Sequence, residues 1–328
     1  MRDVLALALP NPLDEPEAAH RNRFRVGGVS VQLAGDRSSD VDLGSSLEPF
    51  RIAAGASDIN IRVNWVPSLQ RVRRRELFDS GSIWRLYDDA GCFQFDFSAT
   101  VSGEDPYKRL FIDHHFQRAS LLLSESCFES FGAVPPMGYP LDEVLVTHRL
   151  AHERAIELHG VGIVGPHGAS NLFVGHSGAG KSTTASLWTS LHDVEILSDD
   201  RIILREDKVR ENNIRPDKAR EDSVRDDSNQ IFMYGTPWHG EAHFALPQRA
   251  PLKRIFVLEH GYGNALTRLT RSQMVAELFA RSFVPFHRHE YVDSALSFLE
   301  RVADSIPCYR YGFEPDQCAV ERILNFRD

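Results

Sequence analysis

The sequence predicts a mixed α/β (α+β) protein in which a β-rich N-terminal region precedes a domain with a mixed sheet. Three observations carry that reading. Short runs of alternating apolar and polar residues, punctuated by glycine, fill the stretch from Phe24 to about Phe131, the period of half-buried strands. A glycine-rich turn lies between the apolar run Asn171–Val174 and the helix-forming run Thr183–Trp188, a strand–turn–helix unit. Helical spacing near 271–283 and 290–304 alternates with strand-like runs at 251–259 and 307–313. A chain of 328 residues suffices for one large domain or two ordinary ones. The reading divides it into a flexible lead-in at 1–20, a β-rich region at 21–135 and a second domain at 136–328.

Composition bounds the function classes. Apolar content of 42% and charged content of 25% suit a soluble globular protein with a substantial core. A net charge of −9 and a pI near 5.9 give no basic footprint for nucleic acid. The run from Arg71 to Arg75 is the one basic cluster, read as a solvated turn or strand edge, or as a surface for phosphate or an acidic partner. Cys92, Cys127, Cys308 and Cys318 are far apart, which argues against a zinc site or disulfide framework and for a reducing compartment. The apolar Val4–Pro10 is short and soon followed by acids, a poor signal peptide, and no run approaches a membrane span. The expectation is a cytoplasmic protein.

In the first region, Arg25–Leu33, Ile59–Trp65 and Cys92–Phe97 read as strands, with Phe93, Phe95 and Phe97 on one face. Asp88-Asp89, beside Ala90-Gly91, reads as a hairpin turn. Pro140–Leu158 carries an apolar stripe and is expected as a helix. A hairpin follows: residues 160–164 run out, Gly165–Gly168 turns, and Asn171–Val174 returns.

That return strand delivers Gly175-His176-Ser177-Gly178-Ala179-Gly180-Lys181-Ser182-Thr183, which fits G-x-x-x-x-G-K-[ST]. Glycines let backbone N–H groups wrap a phosphate, and the helix start adds partial positive charge. Lys181 would reach the outer phosphates and Ser182 would contact Mg²⁺. Downstream, Val194–Ser198 ends in Asp199-Asp200 before Arg201–Arg205. A carboxylate takes the proton of a hydroxyl acceptor while another holds the metal. Both serve one site only if the strand ends at the pair. Residues 206–230 are dense in charge and read as an exposed loop. Trp238 reads as core. A short C-terminal helix starts near Pro315.

No N-K-x-D guanine motif and no L-S-G-G-Q signature is present, which leaves a kinase or an unusual ATPase. His159-Gly160, the 175–183 loop and Leu197-Ser-Asp-Asp-Arg-Ile202 together resemble the catalytic domain of the HPr kinase/phosphorylase family, most strongly over 156–205. The resemblance implies a phosphoenolpyruvate-carboxykinase-like P-loop fold, ATP with Mg²⁺, and transfer to a serine-type hydroxyl. By position it makes Lys181 and Ser182 nucleotide and metal contacts, Asp199 the proton acceptor, Asp200 a metal contact and His159 a neighbour tuning the carboxylates. The Glu-x-Arg-Gly core of the bifunctional enzymes is missing. Tyr234–Glu241 stands in its place and looks like the block of HPr-kinase-related proteins that act on other acceptors, peptide precursors among them. Glu241 is a candidate third metal contact or a solvated loop carboxylate. Arg254 is a candidate for stabilising charge on the transferring group, although Lys253 competes for that role.

The expected function is therefore an ATP- and Mg²⁺-dependent kinase acting on a hydroxyl-bearing peptide, protein or small molecule. The alternative is an ATP-binding regulatory module without phosphoryl transfer. The expected partners include neither nucleic acid nor membrane, and a homo-oligomer stays open.

Overall fold

The computed structural model describes residues 18–327 apart from 73–74, 82, 90, 100–102, 104, 132–133 and 209–228. The described residues form two compact units, one within 18–152 together with 285–289, the other within 153–284 together with 290–327. Residues 136–152, assigned from the sequence to the second domain, group with the first unit.

The first unit is built on eight strands: β1 (His20–Val26), β2 (Val29–Gly35), β3 (Ile59–Val66), β4 (Glu76–Asp79), β5 (Trp84–Asp89), β6 (Cys92–Ser98), β7 (Pro106–Asp113) and β8 (Arg118–Ser124). Their order is β1-β2-β3-β8-β7-β6-β5-β4, parallel at β2–β3 and β3–β8 and antiparallel elsewhere. Helices α1 (Gly44–Leu47), α2 (Glu125–Phe131) and α3 (Leu141–Leu150) complete it. The single strand expected over 25–33 is a hairpin, because Gly27 and Gly28 take positive φ and turn the chain. Asp88 and Asp89 close β5 rather than form the turn itself.

Phe93, Phe95 and Phe97 are buried together, as alternation predicts, but Gln94 and Asp96 on the opposite face are buried too. That polar face is satisfied internally. Arg109 donates from Nε (2.6 Å) and Nη2 (2.7 Å) to the Asp96 carboxylate, which also accepts from Gln94.

The second unit holds β9 (Ala155–Val164), β10 (Ser170–Val174), β11 (Glu195–Ser198), β12 (Arg201–Lys208), β13 (Asn229–Gly235), β14 (Arg249–Pro251), β15 (Arg254–His260), β16 (Ala265–Arg268), β17 (Ser282–Phe283) and β18 (Cys308–Phe313). Helices are α4 (Lys181–Trp188), α5 (Arg271–Phe279), α6 (His289–Ser305) and α7 (Gln317–Leu324). The sheet order is β14-β13-β12-β9-β10-β15-β18-β16, with β11 and β17 also on β9. It is mixed: β10–β15 and β15–β18 are parallel, and the remaining pairs are antiparallel. Two hydrophobic clusters form the core. One contains Leu158, Leu172, Ile202, Ile255, Leu278 and Leu299, the other Phe173, Trp188, Phe256, Tyr309 and Tyr311.

The helix expected over 140–158 ends at Leu150, and residues 155–158 open β9 instead. Ala155, Ile156, Glu157 and Leu158 are all buried, as in a strand covered on both faces, and such a run imitates a helical stripe. The 160–174 hairpin has the expected course, Gly160 pairing with Val174. The core strand expected from Pro251 begins at Arg254. Of the exposed loop expected at 206–230, residues 206–208 and 229–230 are strand, and 209–228 lie outside the described residues, as do 1–17 of the lead-in. Among the described residues no helix is long and apolar enough to cross a membrane.

Candidate functional site

The site forms where β9 changes neighbours on both edges. Successive strand N–H groups point to opposite edges, and that of His159 donates to the Arg281 carbonyl (2.8 Å), that of Gly160 to the Asp200 carbonyl (3.0 Å). On one edge β17 gives way to β10, which leads into the 175–183 loop. On the other β12 gives way to β11, and the break between them is Asp199-Asp200. The pair thus sits at a strand end, as the sequence reading required. Gly160 admits no side chain, since a Cβ would lie 2.9 Å from the Phe173 carbonyl oxygen.

The loop joins β10 to α4. Gly178 and Gly180 have φ of 81° and 100°, conformations open to glycine at little cost. His176, Ser177 and Gly178 are exposed, Gly175 and Ala179 are buried, and Gly180 caps α4. Lys181 is 7% exposed, and its Nζ donates to the carbonyls of Gly175 (2.9 Å) and His176 (3.0 Å). Burial lowers its pKa, and the charges of Arg281 and Arg201 lower it further, against the opposing pull of Asp200. Ser182 and Thr183 are exposed at the helix start. The donor set fits a nucleotide phosphate with Mg²⁺: a turn with glycine at 175, 178 and 180, a lysine whose Nζ folds back onto it and an exposed hydroxyl at a helix N-terminus.

Gly180 tests the turn. An added Cβ would lie 2.6 Å from Cε1 of Phe313, in a backbone conformation that L residues avoid. Gly180→Ala is expected to lower stability by about 1–3 kcal/mol, read as a shift of the denaturant midpoint at unchanged slope.

The two aspartates differ sharply in surroundings. Asp199 is 2% exposed, and its carboxylate accepts three backbone N–H groups, from Gly240 (3.0 Å), Ala242 (2.9 Å) and Phe244 (3.2 Å). A carboxylate so held anchors the 240–244 loop, an arrangement the sequence reading, which made it the proton acceptor, does not include. Asp200 is half-buried. His159 Nε2 lies 2.8 Å from Oδ1, and Arg201 Nη1 donates to Oδ2. Burial alone would raise its pKa, but the hydrogen bond from His159 and the charges of Arg201, His159 and Lys181 hold it below the usual carboxylate range.

Two basic residues at the site escaped the sequence reading. Arg201 lies over the Phe283 ring at 4.1 Å and near Glu157 (3.5 Å). Arg281, 6% exposed, donates to the Glu277 carboxylate at 2.6 Å. It follows α5 within a stretch read as plain helix, so no local signal marks it.

Other candidates do not join the site in the expected way. Glu241 is exposed on the loop that clasps Asp199, and among the described residues no three His, Cys, Asp or Glu side chains gather as a metal cage. Arg254 pairs in register with Asn171, at the end of β10 opposite the loop, and its guanidinium lies 5.5 Å over the Phe326 ring. It is not placed to touch a transferring phosphoryl. Trp238 is buried, as its core reading expects. No protein-family model matches the chain, and no curated protein matches its sequence.

Proposed function

We propose that the chain is an ATP- and Mg²⁺-dependent kinase that transfers the γ-phosphoryl group to a serine-type hydroxyl of a peptide, protein or small molecule. One observation carries the reading. A glycine loop with a buried lysine and a histidine-bonded aspartate meet at two consecutive residues of β9, near enough for Lys181 and Asp200 to shift one another's titration. The resemblance of 156–205 to the HPr kinase/phosphorylase family, with its phosphoenolpyruvate-carboxykinase-like P-loop fold, points the same way.

When bound, Mg²⁺·ATP supplies the activated phosphoryl group and the cation that offsets its charge. The protein supplies position and electrostatics. With nucleotide bound, Lys181 would exchange the Gly175 and His176 carbonyls for phosphate oxygens, while the Ala179 N–H stays on the His176 carbonyl and keeps the turn closed. Ser182 would hold Mg²⁺, which keeps several waters and needs few protein oxygens. Asp200, rather than Asp199, takes the proton of the acceptor hydroxyl, with His159 orienting it and Arg201 balancing its charge. Asp199 holds the 240–244 loop beside it.

Calorimetric titration with Mg²⁺·ATP tests the nucleotide half of the reading, and [γ-³²P]ATP labelling of protein and small-molecule fractions tests the transfer. Lys181→Ala is expected to weaken Mg²⁺·ATP binding about 10–100-fold, the loss of a charge-assisted contact. Native protein that binds no nucleotide would overturn the proposal. Tight binding with no labelled acceptor in either fraction would favour the regulatory-module alternative.

A further inference from the structure

The loop that clasps Asp199 also sets two histidines against each other. The N–H groups of residues 240, 242 and 244 turn inward to the carboxylate, and the residues between and before them, His239, Glu241 and His243, are exposed. The clasp therefore holds the backbone that carries both imidazoles. Their Nδ1 atoms are 3.1 Å apart and their ring centroids 4.6 Å apart. The carbonyl oxygen of Gly240 lies 3.0 Å from His239 Nδ1.

Those separations match neighbouring ligands on one transition-metal ion. Metal–nitrogen bonds of about 2.0–2.1 Å at 90–109° place two ligand atoms roughly 2.9–3.4 Å apart. Without a metal the contact is a hydrogen bond between two imidazoles. With one, both nitrogens turn to the ion, and the Gly240 carbonyl oxygen, 3.0 Å from His239 Nδ1, is a third donor. Borderline cations such as Zn²⁺ favour imidazole nitrogen, whereas Mg²⁺ favours oxygen.

We infer that His239 and His243, with the Gly240 carbonyl, form a site for a divalent transition-metal ion of the Zn²⁺ type. The site shares no residue with the proposed Mg²⁺ position at Ser182 and does not rest on the kinase reading. His243 has a φ of 60°, a left-handed conformation uncommon outside glycine, which Asn, Asp and His enter more readily than other residues. The clasp on Asp199 offsets that cost and keeps the two rings facing before any ion arrives. A bound ion would tie position 239 to position 243 and so stiffen the loop whose Gly240 packs against both aspartates; a Cβ there would lie 2.9 Å from Asp199 Oδ2 and 3.3 Å from the Asp200 Cβ.

Calorimetric titration of the full chain with ZnCl₂, without nucleotide, tests the inference. The native protein is expected to take up one ion with saturable heat. His239→Ala and His243→Asn are each expected to weaken uptake by about tenfold or more, a loss near 1.4 kcal/mol. Asn at 243 tolerates the left-handed backbone, so the loop keeps its course while the imidazole is lost, and a native-like circular dichroism melt checks that it does. Asp200→Asn is expected to leave Zn²⁺ uptake unchanged. No saturable uptake by native protein overturns the inference. So does uptake that survives either histidine substitution, or uptake lost in Asp200→Asn, which would move the ion to the other site.

Discussion

Asp200→Asn is expected to cut phosphoryl transfer by about 10²–10⁴-fold, the contribution of one positioned proton acceptor, while the folded state stays intact. The half-buried carboxylate is bonded by His159 and Arg201 and lies within electrostatic reach of Lys181. Asn keeps its size and one acceptor oxygen but cannot take a proton. Asp199→Asn is expected to do the opposite. Three backbone N–H groups converge on that carboxylate, and an Asn amide necessarily turns its NH₂ toward at least one of them. The loss is about 2–3 kcal/mol for charge-assisted bonds replaced by a donor–donor conflict. Its activity should fall only as far as the 240–244 loop loosens. Denaturant melts and initial rates of ADP release on both variants separate the two roles. An inactive but fully stable Asp199→Asn beside an active Asp200→Asn would return the proton to Asp199.

Acidification below pH 6.5 is expected to destabilise the first unit through His148. The ring is buried, its Nδ1 is 2.6 Å from the Val144 carbonyl, and it stacks on Phe116 (5.2 Å) and on His287 (5.3 Å). Burial, with repulsion from His287 and His152, lowers its pKa to about 3 despite the Val144 carbonyl. His287 is lowered to about 4 by burial and by Arg288. The unfolded chain binds these protons near pH 6.5 and the folded chain does not, so stability is complete above that value. It falls as pH drops toward 3, by about 1.4 kcal/mol per pH unit for a fully buried group such as His148. His287 acts in the same direction, weakened by partial solvation. His148→Phe, among Phe95, Phe116 and His287, should flatten this dependence. Equal acid sensitivity of native and His148→Phe protein between pH 7 and 5, in urea titrations, would exclude the mechanism.

What the sequence reveals follows from range. The 175–183 loop, the 160–174 hairpin and the Phe93–Phe97 face depend on neighbours within a few residues, so local spacing records them. The residues 155–158 were misread because a strand buried on both faces shows no alternation. The 25–33 run was misread because one pair of glycines turns it. The role of Asp199 depends on N–H groups more than forty residues away in sequence, whose donors carry no side-chain signature at all.

By itself, then, the sequence determined that a glycine-rich loop ending in a lysine and a pair of acids exist and that each follows a strand. Only the tertiary structure decided which acid is held by the backbone and which faces the lysine, that Arg281 joins them and that Arg254 does not. The physical reason is that solvation, hydrogen-bond supply and charge at a carboxylate are properties of its surroundings in space, and here β9 gathers those surroundings from four separate segments of chain.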